Sequence, residues 1–564
     1  MPSATLSADK TESVPVDSQI VIFHSRAGKR IVGVMDTCEA VPDDAPYVVI
    51  CPKFGESKKN NLQLSYQLAA NGMRVLRFDH SNHVGESDGN IEQYTFSSAI
   101  EDIIAAVDYL EKTHSVTRIR LVANSLSARC ALRVAAVDRR IERLATLVGV
   151  IDFQHTAREV YQRDMVAEYL AGQMQGISDI LGHQVDVDAF LQDCIRHDLH
   201  TLEGSIADIR KVRCPVYLLS AERDVWVTTE QVERLMAAGD CVHHINIPGA
   251  MHELRESPEA AKFAVDQLIH AIRAKSPLKK LTGRKDSIRQ PCKARLFQQN
   301  RLERDRLRNA APEREDEQTF WKAYLDKYNI LESVGDYQEY LDLIGRCLGP
   351  VESDHIYFDC GCGNGLFGAW CLRDLLQRQA DFGDSPPLYF GLDLTAKGLG
   401  DAVKRHNSVS LDEIPLNRLY YRFDLDAIDA PRGAAKRLPF EDDAVDRICC
   451  SLLISYLKQP DYLMDELFRI LKPGGKMIVS SMKPYCDLSV IYKDVVEEAR
   501  GEQTLQSARD LLSAAGAIKL KEEEGIYKFY EKHELMEVAI AAGFREPKVY
   551  RSFGDQANLV FALK

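Results

Sequence analysis

The stretch Leu121-Val122-Ala123-Asn124-Ser125-Leu126-Ser127-Ala128-Arg129 joins an apolar run to a segment with helical periodicity and places a serine at the junction. A nucleophile at such a turn needs small residues two positions before and two positions after it, because the turn is too tight for larger side chains. Ala123 and Ser127 hold these positions, where glycines are usual. The stretch predicts a βα unit with Ser125 as a candidate nucleophile, although a serine N-cap on an ordinary βα turn fits this pattern equally well.

Residues downstream of Ser125 favour the nucleophile. An α/β-hydrolase sheet presents its triad in the order serine, acid, histidine. Asp224 follows the apolar run Val216 to Leu219, and His252 follows a later strand-like run. We therefore expect Ser125 to attack, His252 to take its proton and Asp224 to orient the imidazole, with Glu222 as the alternative acid.

An acyl-transfer site also needs two N–H donors that converge on the oxygen of the tetrahedral intermediate. One donor is normally the amide that follows the nucleophile, which belongs to Leu126. The second should come from the loop after the apolar run Tyr47 to Cys51, and we assign it to Phe54. The predicted oxyanion hole is therefore made by Leu126 and Phe54.

Four motifs carry a resemblance to a known family: the segment Arg77 to Ser87, the elbow at Ser125, the loop Asp224 to Val227 and the turn before His252. Together they resemble the myristoyl-acyl-carrier-protein thioesterases of bacterial bioluminescence operons, which have the same A-x-S-x-S elbow. The resemblance spans about residues 19–274. It implies an α/β-hydrolase fold, the triad named above, and a fatty acyl thioester on an acyl carrier protein as substrate.

A second α/β pattern begins at Glu317, and its first strand-like run leads into Asp359-Cys360-Gly361-Cys362-Gly363-Asn364-Gly365. Glycines at alternate positions let the backbone approach a ligand closely, and a helix N-terminus follows. The spacing G-x-G-x-G differs from the dinucleotide fingerprint G-x-G-x-x-G. It resembles the first motif of class I S-adenosylmethionine-dependent methyltransferases.

Three more segments extend this resemblance over about residues 324–564. Asp393 ends the run Leu388 to Leu392, where the family binds the ribose hydroxyls, Leu438 to Ile448 leads into the fourth strand, and Leu471 to Lys476 is the turn before the fifth strand. The resemblance implies S-adenosylmethionine as cofactor. It is expected to bind at Asp359, Gly361, Gly363, Gly365 and Asp393.

The adenine contact departs from the family pattern. An acid and a small residue usually lie a few positions before the Leu-Pro-Phe, where this chain has Ala434 and Ala435. We assign the contact to Asp424 with Leu425, and Asp426 is the alternative.

A methyl acceptor other than a carboxylate would need a base, for which the candidates near the pocket are Tyr456, His406, Tyr324 and Tyr328. Cys360 and Cys362 are poor zinc ligands, because no second cysteine pair lies nearby at metal spacing. No metal is expected.

Composition excludes several classes of protein. The chain has 564 residues, 71 basic and 84 acidic, with a formal charge of −13, which argues against general binding of nucleic acid or membrane surfaces. Neither a signal peptide nor an apolar run long enough to span a membrane is evident, and the cysteines look reduced. We expect a soluble cytoplasmic protein without stable membrane insertion, and make no prediction of its oligomeric state.

Alternation of apolar runs with helical periods predicts two α/β domains. The first is an α/β-hydrolase (19–274) with an inserted helical cap at about 153–210, and the second is a Rossmann-like class I methyltransferase (317–564). Residues 1–18 are predicted to be a disordered tail and 275–316 a basic linker with a helix at 294–308. This linker is either a solvated hinge or a docking patch for an acidic acyl carrier protein.

The simplest function is a bifunctional acyl thioesterase and methyltransferase. It would hydrolyse a fatty or polyketide acyl thioester and transfer a methyl group, with the released carboxylate as one candidate acceptor, giving a methyl ester. The alternative is an O-, N- or C-methyltransferase that tailors a lipid or polyketide intermediate. In that case the hydrolase domain would edit, offload or, without activity of its own, dock a carrier protein.

Overall fold

The computed structural model describes residues 13–39, 41–181, 183–252, 254, 258–274, 288–310, 317–328, 335–409, 414–428, 437–484, 486, 518, 521–522 and 525–564, with the backbone alone at 308–310 and 326–328. These residues fall into two compact units, Met1–Ala310 and Ala311–Lys564. The prediction of two α/β domains, an esterase-like α/β-hydrolase followed by a Rossmann-like methyltransferase sheet, is confirmed. Within these residues, no helix combines the length and the apolar character needed to cross a bilayer.

The described strands of the first unit are β1 (Asp17–His24), β2 (Arg30–Thr37), β3 (Tyr47–Cys51), β4 (Arg74–Phe78), β5 (Ile119–Asn124), β6 (Ile141–Leu147), β7 (Ile177–Ile180), β8 (His183–Asp186), β9 (Val216–Ala221) and β10 (Val242–Ile247). Eight of them form one sheet in the order β1-β2-β4-β3-β5-β6-β9-β10. β2 is antiparallel to β1 and β4, and the other neighbours are parallel. Parallel neighbours need crossover connections, which the helices supply.

The helices of this unit are α1 (Leu62–Ala70), α2 (Phe96–His114), α3 (Ser127–Val137), α4 (Phe153–Tyr161), α5 (Met165–Leu170), α6 (Val187–Arg196), α7 (Leu202–Ile209), α8 (Thr229–Ala237), α9 (Pro258–Arg273) and α10 (Lys293–Ala310). Central strands are apolar on both faces because helices cover both sides of the sheet. In β3, Val49 and Cys51 belong to one core, and Val48 and Ile50 to the core on the opposite face.

The cap differs from its prediction in one respect. Residues 153–210 hold α4 to α7 as expected, but β7 and β8 form a separate antiparallel hairpin between α5 and α6. The sequence indicates a largely helical segment without a strong strand, and it does not reveal this short hairpin. Each strand has only four residues, too few for an alternating pattern to be read from the sequence.

Residues 288–310 of the predicted linker belong to the first unit. Pro291 forms a β-bridge with Val14, and α10 packs through a buried carboxylate, Glu303, whose oxygen lies 2.6 Å from the Arg77 guanidinium. Arg77 also pairs with Asp36 at 2.6 Å. The chain therefore returns to the first unit after α9.

The described strands of the second unit are β11 (Ile356–Cys360), β12 (Leu388–Asp393), β13 (Asn417–Arg422), β14 (Val445–Cys450), β15 (Leu471–Met482), β16 (Arg545–Ser552) and β17 (Ala557–Leu563). Its helices are α11 (Glu317–Tyr328), α12 (Gly335–Leu348), α13 (Leu366–Arg378), α14 (Ala396–Val409), α15 (Pro460–Ile470) and α16 (Lys532–Ala541). The sheet order is β13-β12-β11-β14-β15-β17-β16, with β17 antiparallel to both neighbours.

Strand order reverses between β11 and β14, which is the point where open α/β sheets bind ligands beyond the carboxyl ends of their strands. The predicted turn at 471–476 is part of β15, whose pairing with β14 jumps from Leu471 to Lys476. It is therefore a bulge at the start of the strand and not a separate loop.

Candidate functional site

Ser125 lies at the sharp turn between β5 and α3. Its backbone φ is +49°, a left-handed conformation that residues other than glycine rarely adopt. Hydrogen bonds fix this turn on both sides, since Ser125 N–H donates to the Leu147 carbonyl at 3.1 Å and its own carbonyl accepts from Val150 N–H at 2.9 Å. Such held strain is typical of a nucleophile elbow.

The three residues predicted as a triad meet at this turn. Ser125 Oγ lies 2.9 Å from His252 Nε2, and His252 Nδ1 lies 2.8 Å from Asp224 Oδ2. Asp224 and His252 follow the parallel neighbours β9 and β10, so the sheet places their loops side by side. Asp224 is itself held, because its Oδ1 accepts from the amides of Trp226 at 2.9 Å and Val227 at 3.3 Å.

Glu222, the alternative acid, has a different partner. Its Oε2 accepts a hydrogen bond of 2.7 Å from Gly249 N–H and so fastens the turn that precedes His252. Sequence reasoning missed Trp226, whose ring packs on the His252 ring with 4.2 Å between centroids. The sequence does show an aromatic residue two positions after the triad acid, and this could have indicated a contact with the histidine.

The predicted oxyanion donors lie on adjacent loops. β3 and β5 are parallel neighbours with Cys51 opposite Ala123, so the oxyanion loop (residues 52–55) begins beside the Ser125 turn. Ser127, the residue in the place of the second glycine, donates its hydroxyl to the Pro52 carbonyl and ties the two together. Neither the Leu126 nor the Phe54 amide donates a hydrogen bond to another described residue.

A small apolar cavity adjoins the serine. Its volume is about 10 Å³, room for about one water molecule. It is lined by Ser125, Leu126, Val150, Phe153, Thr156, Ala157, Val160, Tyr161, Ile180, Leu181 and Trp226. Most of these residues come from the cap, so a larger group can enter only if cap side chains move.

The second unit has a cavity of about 400 Å³ at the carboxyl ends of its strands. Of the predicted cofactor residues, Asp359, Gly361, Gly363, Asp393, Asp424 and Leu425 line it. Gly365 does not. It has a φ of +80°, and a Cβ there would lie 2.7 Å from Ala402 and from His406, so this glycine permits close packing of the loop on α14.

Backbone hydrogen bonds hold the glycine loop on β12. Gly361 and Cys362 N–H each donate to the Leu392 carbonyl at 2.8 Å. Gly363 N–H donates to Asp393 Oδ2 at 2.9 Å. Asp393 Oδ1 accepts from the Thr395 amide and from the Thr395 hydroxyl, each at 2.8 Å, so the carboxylate is fixed in the cavity wall.

Two carboxyl groups of this cavity titrate abnormally. Burial raises the pKa of Asp359 to about 7, opposed by a hydrogen bond of 2.7 Å from Tyr389 O–H and reinforced by the charge of Asp393. Burial also raises the pKa of Asp393, opposed by the N–H donors of Thr395 and Gly363. A cation in the cavity would favour the ionised form of both.

Asp424 and Asp426, the two candidates for the adenine contact, both line the cavity. Asp424 caps a short 3₁₀ turn and accepts from Asp426 N–H at 3.0 Å. Asp426 Oδ1 accepts from Lys458 N–H at 2.6 Å. Ala434 and Ala435, where the family has its acid and small residue, lie outside the described residues.

Of the base candidates, Tyr456 and Tyr324 line the cavity and His406 does not. His406 Nε2–H donates to the Gly365 carbonyl at 2.7 Å and Nδ1 accepts from Tyr420 O–H at 2.6 Å. Burial lowers its pKa to about 4. His406 therefore supports the glycine loop, and the Tyr328 side chain lies outside the described residues.

Trp321 and Glu317 are cavity residues that sequence reasoning missed. The Trp321 ring packs on Tyr456 with 4.6 Å between centroids. Glu317 Oε2 accepts from Trp321 Nε1–H at 3.0 Å and from Tyr527 O–H at 2.7 Å. The sequence does place an acid and a tryptophan at i and i+4 of a predicted helix, and this could have indicated that the two side chains lie on one face.

Cys360 and Cys362 are free, buried thiols. Burial raises the pKa of both thiols well above the ordinary value. Across the described ranges, no group of three or more His, Cys, Asp or Glu side chains is arranged to hold a metal ion.

Two family models match different parts of this chain. The acyl transferase family model matches residues 27–257 and the methyltransferase domain model matches residues 358–479. An acyl transferase of Photobacterium phosphoreum is 29% identical over 255 residues, which cover 44% of this chain and 80% of that relative. An acyl transferase of Photobacterium leiognathi is 31% identical over 215 residues, which cover 37% of this chain and 66% of that relative.

Among solved structures, Est1E from Butyrivibrio proteoclasticus with ferulic acid bound is similar to 45% of this chain and 96% of its own, with 19% identity and a TM-score of 0.37. The two family matches fall on the two compact units, one on each. The chain is thus an enzyme that joins an acyl-transferase-type α/β-hydrolase domain to a methyltransferase domain.

Proposed function

We propose that this enzyme cleaves a fatty or polyketide acyl thioester at Ser125 and transfers a methyl group from S-adenosylmethionine to the released carboxylate, giving a methyl ester. The observation that carries the proposal is the hydrogen-bonded series Ser125, His252 and Asp224 in one unit. It is joined in the same chain to the carboxylate-lined cavity beside Gly361 and Gly363.

In the hydrolase, Ser125 Oγ gives its proton to His252 Nε2 and forms a bond to the acyl carbon. The carbon–sulfur bond then breaks, and the thiol leaves with the proton from His252. Water attacks the acyl-enzyme in the same way and releases the carboxylic acid. Asp224 holds Nδ1–H of His252, which leaves Nε2 free to accept the serine proton.

The cavity beside Ser125 supports an apolar acyl group. Its lining is dominated by side chains such as Val150, Phe153, Val160 and Ile180, which offer no partner to polar substituents. The resemblance to acyl-carrier-protein thioesterases supports a carrier-bound thioester as the source of the chain.

The second cavity fits S-adenosylmethionine, because about 400 Å³ is within the range of small-molecule sites. Positive φ values of +73° at Gly361 and +50° at Gly363 bring the backbone to the cavity wall without side chains. Asp393 would accept hydrogen bonds from the ribose hydroxyls, and Asp424 with Leu425 would contact adenine. The carboxylate of Asp359 would stabilise the positive charge of the sulfonium. When bound, the cofactor supplies an electrophilic methyl group.

A carboxylate acceptor needs no general base, so the residues near the acceptor have only to align it with the methyl group. Two parts of the cavity wall are available for this, one from the segment after β14 and one from α11. They are formed by Ser451, Leu452, Leu453, Tyr456 and Leu457, and by Trp321 and Tyr324. The acid released in one domain is then the acceptor of the other.

One observation favours a second candidate, methylation of a hydroxyl, amine or carbon of a lipid or polyketide intermediate. Glu317 brings a carboxylate to the cavity wall beside Trp321. A negative charge there favours a neutral or cationic acceptor over an anionic one.

The deciding experiment supplies acyl carrier thioesters of several chain types together with methyl-labelled S-adenosylmethionine, followed by product mass spectrometry. A labelled methyl ester supports the coupled reaction. Free acid that accumulates without label excludes it, and label on an added hydroxyl or amine competitor favours the second candidate.

A further inference from the structure

His83 lies in the segment Arg77 to Ser87 and is buried against the oxyanion loop. Its Nε2 accepts a hydrogen bond of 3.0 Å from Gly55 N–H. Its ring meets the Phe54 ring edge-on with 5.6 Å between centroids. The peptide on the carboxyl side of Phe54 is therefore fixed by one imidazole nitrogen.

The loop has little freedom around this bond. Gly55 has a φ of +78°, and a Cβ added to it would lie 2.3 Å from Nε2 of His183. The His183 ring also packs on Phe54, with 5.4 Å between centroids. The His83 imidazole from the loop after β4 and the His183 imidazole from the cap hairpin thus enclose Phe54 and Gly55.

Oxyanion stabilisation depends on such exact placement. A donor must lie about 2.7–3.1 Å from the position of the developing oxyanion, and removal of one donor costs about 10²–10³ in kcat. The Phe54 amide points from an irregular loop, so an adjacent anchor has to set its direction.

We propose that His83 is a positioning residue of the oxyanion hole, whose Nε2 holds Gly55 N–H and thereby aims the Phe54 amide at the substrate carbonyl. This inference rests on the proposed acyl chemistry at Ser125. Burial, with repulsion from His80 and His183, keeps the pKa of His83 well below its usual range. The ring is therefore neutral and can accept, whereas an imidazolium would donate from both nitrogens and break the bond.

Three variants of the full chain test the proposal. His83→Met removes the acceptor at similar volume, and His83→Gln returns an acceptor oxygen. His80→Met alters a buried histidine whose ring lies 5.9 Å from His83 and which, in the part of the chain described, makes no hydrogen bond to the oxyanion loop. We expect His83→Met to lose about 10- to 100-fold in kcat for thioester cleavage with KM little changed. His83→Gln should recover most of the loss, and His80→Met should retain kcat.

Labelling of Ser125 by an alkyl fluorophosphonate gives a second readout that does not depend on the natural substrate. We expect its rate to fall in His83→Met and to return in His83→Gln. Equal losses in His80→Met and His83→Met, or a loss confined to KM, would overturn the positioning role. If the wild type is labelled but cleaves no thioester, and the labelling still depends on His83, the proposed substrate is wrong and the positioning role stands. A wild type that is neither cleaving nor labelled overturns both.

Discussion

The two sites of this enzyme are built on similar α/β sheets, but they differ in how their functional groups are arranged before a substrate binds. Beside Ser125 the reacting side chains already contact one another, and the adjoining cavity measures about 10 Å³. Beside Gly361 the cavity measures about 400 Å³, and carboxylates in its wall, such as Asp393 and Asp426, accept hydrogen bonds from backbone amides of the same wall.

This difference follows from the chemistry of each site. A serine nucleophile needs a base and an orienting acid in hydrogen-bonded order before any substrate arrives. Methyl transfer from a bound donor needs mainly space and alignment, with backbone close to the ligand and charge of the right sign. One site should therefore fail through loss of a single side chain, and the other should respond gradually to strain and pH.

The sharpest test of this contrast is Ser125→Ala. Loss of a nucleophile that works as one unit with its base costs about 10⁴–10⁶ in kcat. We expect thioester cleavage, measured as thiol release, to fall to background while S-adenosylmethionine binding by calorimetry is unchanged. Cleavage at the wild-type rate would remove Ser125 from the mechanism.

The acid gives the next largest effect. Asp224→Asn keeps the shape but loses the charge that holds His252 Nδ1–H, and we expect a loss of about 10⁴ in kcat. Glu222→Gln is the matched control, because Glu222 holds Gly249 and not the histidine. It should change kcat by only a few-fold in the same assay, and an equal loss in both variants would reopen the choice of acid.

Sequence was informative where chemistry demands a pattern. The order of Ser125, Asp224 and His252 follows from what a triad requires, and the structure joins the three by hydrogen bonds. The glycine spacing after Asp359 follows from what a close backbone approach requires, and the structure places Gly361 and Gly363 at a cavity. The hairpin β7–β8 was missed because four-residue strands carry no period. The role of His406 was missed because it depends on Gly365, which is distant in sequence.

The sequence also failed to predict that α10 packs on the rest of the first unit, and the reason here is different. Its composition is that of a solvated basic helix, yet one acid within it, Glu303, is 6% exposed and pairs with the fully buried Arg77. Composition does not reveal a single buried ion pair, because the exposed charges around it dominate the net charge of the segment. Only tertiary packing distinguishes Glu303 from the acids near it.

Glu303 therefore tests where the hydrolase half ends. Glu303→Ala leaves the buried Arg77 guanidinium with the carboxylate of Asp36 and the Lys58 carbonyl, and breaking a buried pair costs about 3–5 kcal/mol. We expect the free energy of unfolding of the first unit, measured by urea denaturation, to fall by about 3 kcal/mol. Asp305→Ala, on the same helix with an exposed partner 3.9 Å away, should be nearly neutral. If the free energy of unfolding falls as little in Glu303→Ala as in Asp305→Ala, the buried pair of α10 does not stabilise the first unit.

Backbone strain should have a smaller effect in the second site. Gly363 has a φ of +50°, and a Cβ there would meet Leu325 at an ordinary 3.4 Å, so Gly363→Ala acts through conformation and not through a clash. The left-handed conformation costs a non-glycine residue about 1–2 kcal/mol. We expect about a tenfold loss of S-adenosylmethionine affinity. Gly400→Ala, in α14 with open space around it, should leave affinity unchanged.

The smallest effect concerns the pH dependence caused by Asp359. As pH rises, the stability of the second unit should fall, whereas the affinity for the methyl donor should rise. With a pKa of about 7, the folded apo-protein holds a proton on this carboxyl between about pH 4 and 7 that the unfolded chain has lost, so the stability of the second unit falls as pH rises through that window. Binding of the cationic methyl donor favours the carboxylate, so the affinity should rise by roughly tenfold from about pH 6 to 8 as Asp359 of the apo-protein ionises around its pKa of about 7. Asp359→Asn should weaken both trends in calorimetry and denaturation and leave the part that Asp393, whose pKa burial also raises, contributes with the same sign. If affinity in the wild type is flat with pH, Asp359 is not the group that senses the positive charge.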